Sequence, residues 1–203
     1  GEEVTANASA FRNLPARIPF EGRLTLRGEA VIRYSDFTKI NEELEEEAAE
    51  KGVLEDVRYK NPRNLCSGSV RQLDSSVTAK RRVRFYAFTL VEAVEQGTVP
   101  EFHNSRLGQL DFLKAQGFET VDTTVVTAES IGSEIDRFEK KIRDFDLPSD
   151  GLVLLLDDIA YGESLGRTAK FPRNAIAFKW ADEQQETTLL EVEWSASRTG
   201  LIN

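Results

Sequence analysis

At the centre of the sequence is the run Asn61-Pro62-Arg63-Asn64-Leu65-Cys66-Ser67-Gly68-Ser69-Val70-Arg71-Gln72-Leu73-Asp74. It lies in a basic region, because residues 57–84 contain eight Lys or Arg side chains and one acid, Asp74, a local charge of +7. The whole chain has a formal charge of −9, so the rest of it is strongly acidic. Positive charge concentrated in one region of an acidic protein points to a site for anions.

The run favours a short helix that presents two arginines. Asn61-Pro62 marks a turn, since the residue before a proline is biased away from helix. Ser67 can then cap a helix that ends near Leu73. Arg63 and Arg71 are two four-residue steps apart, so a continuous helix would place both guanidinium groups on one side.

A predicted strand, from Val83 to Leu90, follows the basic run and is rich in β-branched and aromatic residues. Two guanidinium groups beside such a strand could hold a phosphate and a stacked base. A solvated basic helix next to an ordinary core strand explains the same pattern, and spacing alone does not choose between the two interpretations.

The run from Asn61 to Asp74 resembles the corresponding segment of bacterial NAD-dependent DNA ligases, and the similarity covers almost all 203 residues. The resemblance implies an adenylation domain with an α+β, covalent nucleotidyltransferase (ATP-grasp-like) fold of mainly antiparallel sheets flanked by helices. It further implies that residues 1–189 are this domain, truncated at its N-terminus, and that residues 190–203 are a linker and the first strand of an OB-fold domain.

Composition narrows the class of protein. With 203 residues, 30% charged and 40% hydrophobic, the chain can form one sizeable domain with a core of its own. No apolar run reaches membrane length and no leader is evident, so we expect a cytoplasmic protein that does not bind membranes. A single cysteine, Cys66, and a single histidine, His103, argue against an internal disulfide, a cysteine metal cluster and a multi-histidine metal site.

Leu24–Ile32 is predicted to be a strand in which Gly28 allows close backbone approach beside Glu29. A carboxylate in mid-strand is costly to bury without a partner, so Glu29 should face a cleft, a metal or a donor, unless it lies in water at a strand end. The ligase resemblance assigns Glu29 to contacts with the nucleotide ribose and the catalytic centre.

A second candidate segment begins with the turn Asp150-Gly151, which precedes the apolar run Leu152–Leu156. A continuous apolar run of this length is typical of a buried strand. In the ligases the corresponding motif is Asp-Gly, three hydrophobic residues and a lysine that contacts the nucleotide phosphates. This chain has Leu155 at the position of that lysine, a departure that removes one cation and puts full ligase activity in doubt.

Ala175–Trp180 alternates as a strand, with three large apolar side chains on one face and Ala177 and Lys179 on the other. Lys179 would then project into a pocket, although a lysine on an edge strand fits the same pattern. The resemblance assigns Lys179 to the α-phosphate of the nucleotide and places Phe88 where the family commonly stacks an aromatic ring on adenine. Nucleotide-binding residues implied in this way are Glu29, Arg63, Arg71, Phe88, Asp150, Gly151 and Lys179, of which Glu29 and Lys179 are also catalytic.

The remaining elements are predicted to be scaffold. Ser35 to about Glu50 is an acidic helix with a solvated face, and Ser105–Gln116 and Glu129–Phe145 are helices with apolar residues at helical spacing. Phe118–Thr127 is rich in β-branched residues and is predicted to be a strand.

The resemblance implies a reaction in three steps. A lysine amine attacks the α-phosphate of NAD, the adenylyl group passes to the 5′-phosphate at a nick in duplex DNA, and the 3′-hydroxyl displaces AMP. Mg2+ is expected to assist, and Zn2+ is expected only in other regions of the full-length protein, so no metal ligands are assigned here. We expect a monomer that acts on nicked DNA in replication, repair and the response to DNA damage.

The Lys-x-Asp-Gly motif that carries the nucleophile does not occur in the 203 residues, and we expect it upstream of Gly1. The chain alone should therefore be inactive. It contains no methionine, which suggests an internal fragment or residues lost from the sequence. Two alternatives stay open: a degenerate paralogue that binds a nucleotide or a partner without catalysis, and an ATP-dependent nucleotidyltransferase. The Asn-Pro-Arg-Asn run argues against the second, because the resemblance ties it to the NAD-dependent branch.

Overall fold

A computed structural model describes residues 2–53, 55–180 and 188–202. Two antiparallel sheets and seven helices make up this part of the chain. In chain order the elements are α1 (Thr5–Ala8), β1 (Arg23–Val31), α2 (Tyr34–Glu50), α3 (Pro62–Ser69), α4 (Ser75–Lys80), β2 (Arg84–Val94), α5 (Arg106–Ala115), α6 (Ile131–Ile142), β3 (Gly151–Leu155), α7 (Ile159–Ser164) and β4 (Ala175–Lys179). The mixed α and β structure with antiparallel sheets is the one that the family resemblance implies.

The first sheet pairs β1 with β2, and its register shifts twice. At the second shift Arg27 faces Thr89 and Gly28 faces Ala87, which leaves Phe88 as an extra residue on β2. Gly28 is required at this place, because a Cβ atom there would collide with the Phe85 ring and the backbone oxygen of Tyr86.

Two apolar clusters hold this sheet in place. On one side, Ala87, Leu90 and Ala93 of β2 pack against Leu110 and Leu113 of α5. The Ser105 hydroxyl caps α5 by accepting a hydrogen bond from the Gly108 N–H, so this helix begins where the sequence predicts.

The second cluster lies between the sheet and helices α2 and α3, and it contains Ile32, Ile40, Leu65, Cys66 and Val83. Acids of α2 also bind the basic region. Glu45 pairs with Arg58 at 3.4 Å, and Glu43 pairs with Arg82 at 2.5 Å. The acidic helix therefore neutralises part of the basic region as well as exposing charge to solvent.

The second sheet pairs β3 with β4, from Gly151 opposite Lys179 to Leu155 opposite Ala175. Its Phe178 side packs on α6, because Trp180 contacts Phe178 edge-on and stacks on Phe138 with ring centroids 6.3 Å apart. The predicted strand is confirmed as β4, but its apolar face is only partly covered, since Ile176 is 64% exposed. The Lys179 side chain is 66% exposed on a sheet of two strands, which fits the alternative of a lysine on an edge strand.

The prediction that Leu152–Leu156 is a buried strand is wrong. β3 forms, but Val153 is 69% exposed and Leu154 and Leu155 are each 40% exposed. A sheet of two strands cannot cover both of its own faces, so an apolar run alone does not ensure burial here.

The predicted helix capped by Ser67 and ending near Leu73 is also wrong. Instead α3 begins at Pro62, where the Asn61 side chain accepts hydrogen bonds from the Arg63 and Asn64 N–H groups at 2.8 and 3.1 Å. Asparagine at the cap followed by proline in the first turn is a helix start, because proline has no N–H that needs a partner there. The chain then turns, and Asp74 caps α4.

The predicted strand over Phe118–Thr127 is reduced to one isolated bridge between Thr120 and Ala87. The predicted acidic helix and the predicted helix over Glu129–Phe145 are confirmed as α2 and α6, with slightly different ends. Among the described residues, no helix combines the length and the apolar composition needed to cross a bilayer.

Candidate nucleotide site

Two cationic side chains from distant parts of the chain meet at the carboxylate of Asp150. The Lys179 ammonium donates a hydrogen bond to Oδ2 of Asp150 at 3.0 Å, and a terminal nitrogen of Arg63 lies 3.6 Å from the same oxygen. All three side chains are more than half exposed. Two cations thus share one carboxylate at an accessible surface, which leaves a net positive charge for an anionic ligand.

The hydrogen bond between Asp150 and Lys179 depends on Gly151. Gly151 pairs with Lys179 across the second sheet, and a Cβ atom at residue 151 would collide with the backbone oxygen of Phe178 and lie 3.2 Å from Lys179 Cγ. Glycine therefore allows the close approach of β3 and β4 that brings the preceding carboxylate to the lysine.

The Asp150 carboxyl group is held in its ionised form. The hydrogen bond from Lys179 is the main cause that lowers its pKa. Burial is the next largest effect and opposes it, and the positive charges of Lys179 and Arg63 lower the pKa further. At neutral pH the three groups are therefore two cations and one anion.

Arg63 reaches this cluster from the first turn of α3, whose other side is buried in the core. Burial raises the pKa of the Cys66 thiol to about 12, and the negative charge of Glu29 contributes as the smaller cause. Glu29 is exposed on β1, the strand against which α3 packs. Helix α3 thus packs on β1 of the first sheet, while its Arg63 reaches Asp150, the residue before β3 of the second sheet.

Phe88 lies at the bulge of β2, three residues beyond Phe85, and its side chain is 40% exposed. A bulge redirects a side chain relative to the regular alternation of a strand, and bulges are common next to functional sites. The neighbouring Ala87 is fully buried, so the aromatic ring is exposed at a rigid position.

Arg71 is not in α3 and does not share a helix face with Arg63, so that prediction is wrong. It lies in the turn after the helix and forms an ion pair with Glu2 at 3.3 Å. The buried Asn7 holds this turn, because its amide nitrogen donates to the backbone oxygens of Val70 at 3.0 Å and Gln72 at 2.7 Å. Sequence reasoning missed Asn7, and no periodic pattern marks it.

Leu155 lies on the face of the second sheet that carries Lys179. Gly151 is directly opposite Lys179, and Leu155 is four residues further along the same strand, so alternation returns it to the same face. Its side chain adds apolar surface where the ligase motif has a lysine.

No three His, Cys, Asp or Glu side chains lie together as a potential metal site within residues 2–53, 55–180 and 188–202.

Comparison with known proteins gives one consistent result. The family model for the NAD-dependent DNA ligase adenylation domain matches residues 1–183. Proteins named DNA ligase from Lachnoclostridium phytofermentans and Ruminiclostridium cellulolyticum are 56% and 58% identical to this chain over all of its 203 residues, and one from Bacillus cereus is 39% identical. The chain spans 29% of the length of each of these relatives. This chain therefore belongs to the NAD-dependent DNA ligase adenylation domain family.

Proposed function

We propose that this chain is the nucleotide-binding part of an NAD-dependent DNA ligase that joins 5′-phosphate and 3′-hydroxyl ends at nicks in duplex DNA. The observation that carries the proposal is the convergence of Arg63 and Lys179 on Asp150, in a chain whose family is defined by adenylation with NAD. The two cations reach one point from α3 and β4.

In the proposed first step a lysine amine forms a bond to the α-phosphorus of NAD, and nicotinamide mononucleotide leaves with the electrons of the broken P–O bond. The adenylyl group then moves to the 5′-phosphate of DNA, and the 3′-hydroxyl displaces AMP. Charge builds up on phosphoryl oxygens in each step, so the main requirement is for positioned cations and donors. The nucleophilic lysine belongs to a Lys-x-Asp-Gly motif outside these 203 residues.

The side chains of the candidate site have proposed roles in this chemistry. Lys179 and Arg63 contact the phosphates, and Asp150 keeps both cations in place before the nucleotide binds. Glu29 contacts the ribose, and the exposed ring of Phe88 stacks on the adenine. Arg71 contributes a further phosphate contact when its ion pair with Glu2 opens.

Mg2+ would act by neutralising charge on the phosphates. Mg2+ is usually bound through one or two carboxylates together with substrate phosphates and water, rather than by a complete protein cage. The exposed carboxylate of Glu29 is the proposed protein contact for such an ion, which would otherwise be held by the nucleotide phosphates and water.

We place the boundary of the adenylation domain near residue 189, with residues 190–203 leading into an OB-fold domain. Residues 181–187 and 203 lie outside the described residues, and within 188–202 a bridge joins Ala196 to Ile202. The full-length protein is proposed to act as a monomer in the cytoplasm, in DNA replication and repair.

The test uses the full-length protein that contains this chain. Purified protein is mixed with a labelled duplex carrying one nick, with Mg2+ and either NAD or ATP. We expect sealing with NAD and none with ATP. Sealing with ATP alone would contradict the choice of NAD as the donor, and failure with both would contradict ligase activity.

Leu155 favours a second candidate function, nucleotide binding without catalysis. An apolar side chain on the Lys179 face supplies no charge to a phosphate. If the full-length protein binds NAD but does not seal, and Leu155→Lys creates measurable sealing, this second function is the correct one. If the unaltered protein seals nicks, the second function is excluded.

A further inference from the structure

A group of polar side chains joins the end of β1 to β2 and to the segment after α5. The Nε and a terminal nitrogen of Arg33 donate hydrogen bonds to the Tyr86 hydroxyl oxygen at 2.9 and 2.6 Å. The same guanidinium lies 3.5 Å from a carboxylate oxygen of Glu119, whose other oxygen lies 3.5 Å from Arg84. We call Arg33, Tyr86, Glu119 and Arg84 the Arg33 cluster.

The Arg33 cluster is rigid. Tyr86 is 7% exposed, and Arg84 also lies 3.7 Å from the buried Asp36 of α2. Burial is the largest cause that raises the pKa of Tyr86, so its hydroxyl group is neutral at pH 7 and can accept both hydrogen bonds. Two hydrogen bonds from one planar guanidinium fix the orientation of the Tyr86 side chain as well as its distance.

The cluster fixes the two residues that precede Phe88. Tyr86 is held through its side chain. Ala87 is held through its backbone, because its N–H donates to the Glu119 backbone oxygen at 2.9 Å and its own oxygen accepts from the Val121 N–H at 3.0 Å. Phe88 comes next, as the extra residue of the bulge. The cluster therefore helps to set where the exposed Phe88 ring leaves the strand.

Tyr86 also stands directly opposite Glu29 in the first sheet. Residues paired in this way in antiparallel strands have their side chains on the same face, with Cβ atoms about 4.5–5.5 Å apart. The Arg33 cluster thus lies beside both side chains that are proposed to contact the adenosine part of NAD.

We infer that Arg33 is a positioning residue for the adenosine end of NAD, because through Tyr86 and Glu119 it holds the Phe88 ring in place for stacking on adenine. The reacting phosphate lies at Lys179 and Arg63 instead. A displaced ring weakens binding equally in the ground state and the transition state, so the half-saturating NAD concentration rises while the maximal rate is kept. This inference rests on the proposed function, which assigns the adenine stack to Phe88.

The test measures formation of the lysine–AMP adduct by the full-length protein at increasing NAD concentrations. Arg33→Met should raise the half-saturating NAD concentration about 3- to 10-fold and leave the maximal rate within about twofold of the unaltered protein. Tyr86→Phe removes only the oxygen that accepts the two hydrogen bonds and should act in the same direction. A purely structural role would instead lower the fraction of active protein at an unchanged half-saturating concentration.

A double-mutant cycle shows whether Arg33 acts through Phe88. Phe88→Ala removes the ring itself and should raise the half-saturating concentration about 5- to 150-fold, the loss typical of a base-stacking side chain. Adding Arg33→Met or Tyr86→Phe to Phe88→Ala should then cause no further rise, because the ring that they position is gone.

Arg23→Met is the matched control. Arg23 lies at the other end of β1, and its exposed guanidinium forms an ion pair with Glu92 at 2.7 Å. The control should leave the half-saturating concentration unchanged. Circular dichroism melting checks folding, and if Arg33→Met is unfolded, Tyr86→Phe decides by the same criteria.

Three results would overturn the inference: an unchanged half-saturating concentration in the folded cluster variants, an equal rise in Arg23→Met, or the same rise with and without the Phe88 ring. An unchanged value for Phe88→Ala would refute the adenine stack in the proposed function, and the inference with it. If the unaltered protein forms no adduct from NAD, the proposed function itself fails.

Discussion

The carboxylate of Asp150 accepts a hydrogen bond from Lys179 at 3.0 Å, although the two residues are 29 positions apart in the chain. The pair joins the turn before β3 to the end of β4, and Arg63 of α3 approaches the same oxygen. Before any ligand binds, the carboxylate occupies the place beside both cations where an anion would be attracted. A phosphate that enters the site must therefore compete with Asp150 for Lys179.

This relationship predicts how Asp150 titrates. Followed by NMR of the carboxyl carbon, its pKa should lie below the ordinary value of about 3.9 for aspartate. Lys179→Met should raise this pKa more than Arg63→Met, because the hydrogen bond from Lys179 is the largest cause of the shift. A titration that is identical in the Lys179→Met variant would show that the hydrogen bond is not formed in solution.

The lowered pKa of Asp150 also makes the stability of the fold depend on pH. The folded-state pKa of Asp150 is lowered, so the unfolded chain takes up a proton first as the pH falls. The contribution of the pair to stability is present above about pH 3.9, the unfolded-state pKa, and is lost as the pH falls through the folded-state pKa. The side chains are mostly exposed, so this contribution is small.

Gly151→Ala should destabilise the second sheet. The added methyl group collides with the Phe178 backbone oxygen, and the strands must separate to accept it. Overpacking of this kind costs about 1–3 kcal/mol, measured as the free energy of unfolding in urea. Gly68→Ala is the matched control, because nothing lies within 4 Å of the added atom in that helix. The control should be neutral or stabilising by up to about 1 kcal/mol, and equal losses in both variants would contradict the close approach at residue 151.

Cys66 should be unreactive in the folded protein. The side chain is 4% exposed and its pKa is raised to about 12, so almost no thiolate is present at pH 8. Reaction with an aromatic disulfide reagent should be slow without denaturant and fast in urea. Because the folded-state pKa is raised, the contribution of the buried thiol to stability is complete below about pH 8.5 and is lost as the pH rises towards the folded-state value. Rapid labelling of the folded protein would show that the α3 core is open.

The parts of the fold that follow from local pattern could be predicted from the sequence. Alternation in β4 gave the face of Lys179, and Ser105 marked the start of α5, because each depends only on neighbouring residues. The start of α3 was missed for a local reason as well. Asn61-Pro62 fits both a turn and a helix cap, and the preference of proline for the first helical turn decides between them.

The contacts that build the site could not be predicted, because they depend on packing between distant segments. Asp150 meets Arg63 only after α3 packs on the first sheet, and the bulge at Phe88 exists only once β1 sets the register. The turn at Arg71 is fixed by Asn7, more than sixty residues away. Each is a tertiary relationship that leaves no periodic trace in the sequence.

The most direct test is the rate at which the full-length protein acquires radiolabelled AMP from NAD, with and without Lys179→Ala, and with Lys140→Ala as a control on an exposed helix position. Removing one preorganised cation or donor from a phosphoryl-transfer site typically lowers the rate by about 10²–10³-fold. We predict a loss of this size for Lys179→Ala and a rate near that of the unaltered protein for Lys140→Ala. Labelling of Lys179→Ala at the unaltered rate would contradict the assignment of the Arg63, Asp150 and Lys179 cluster to the nucleotide.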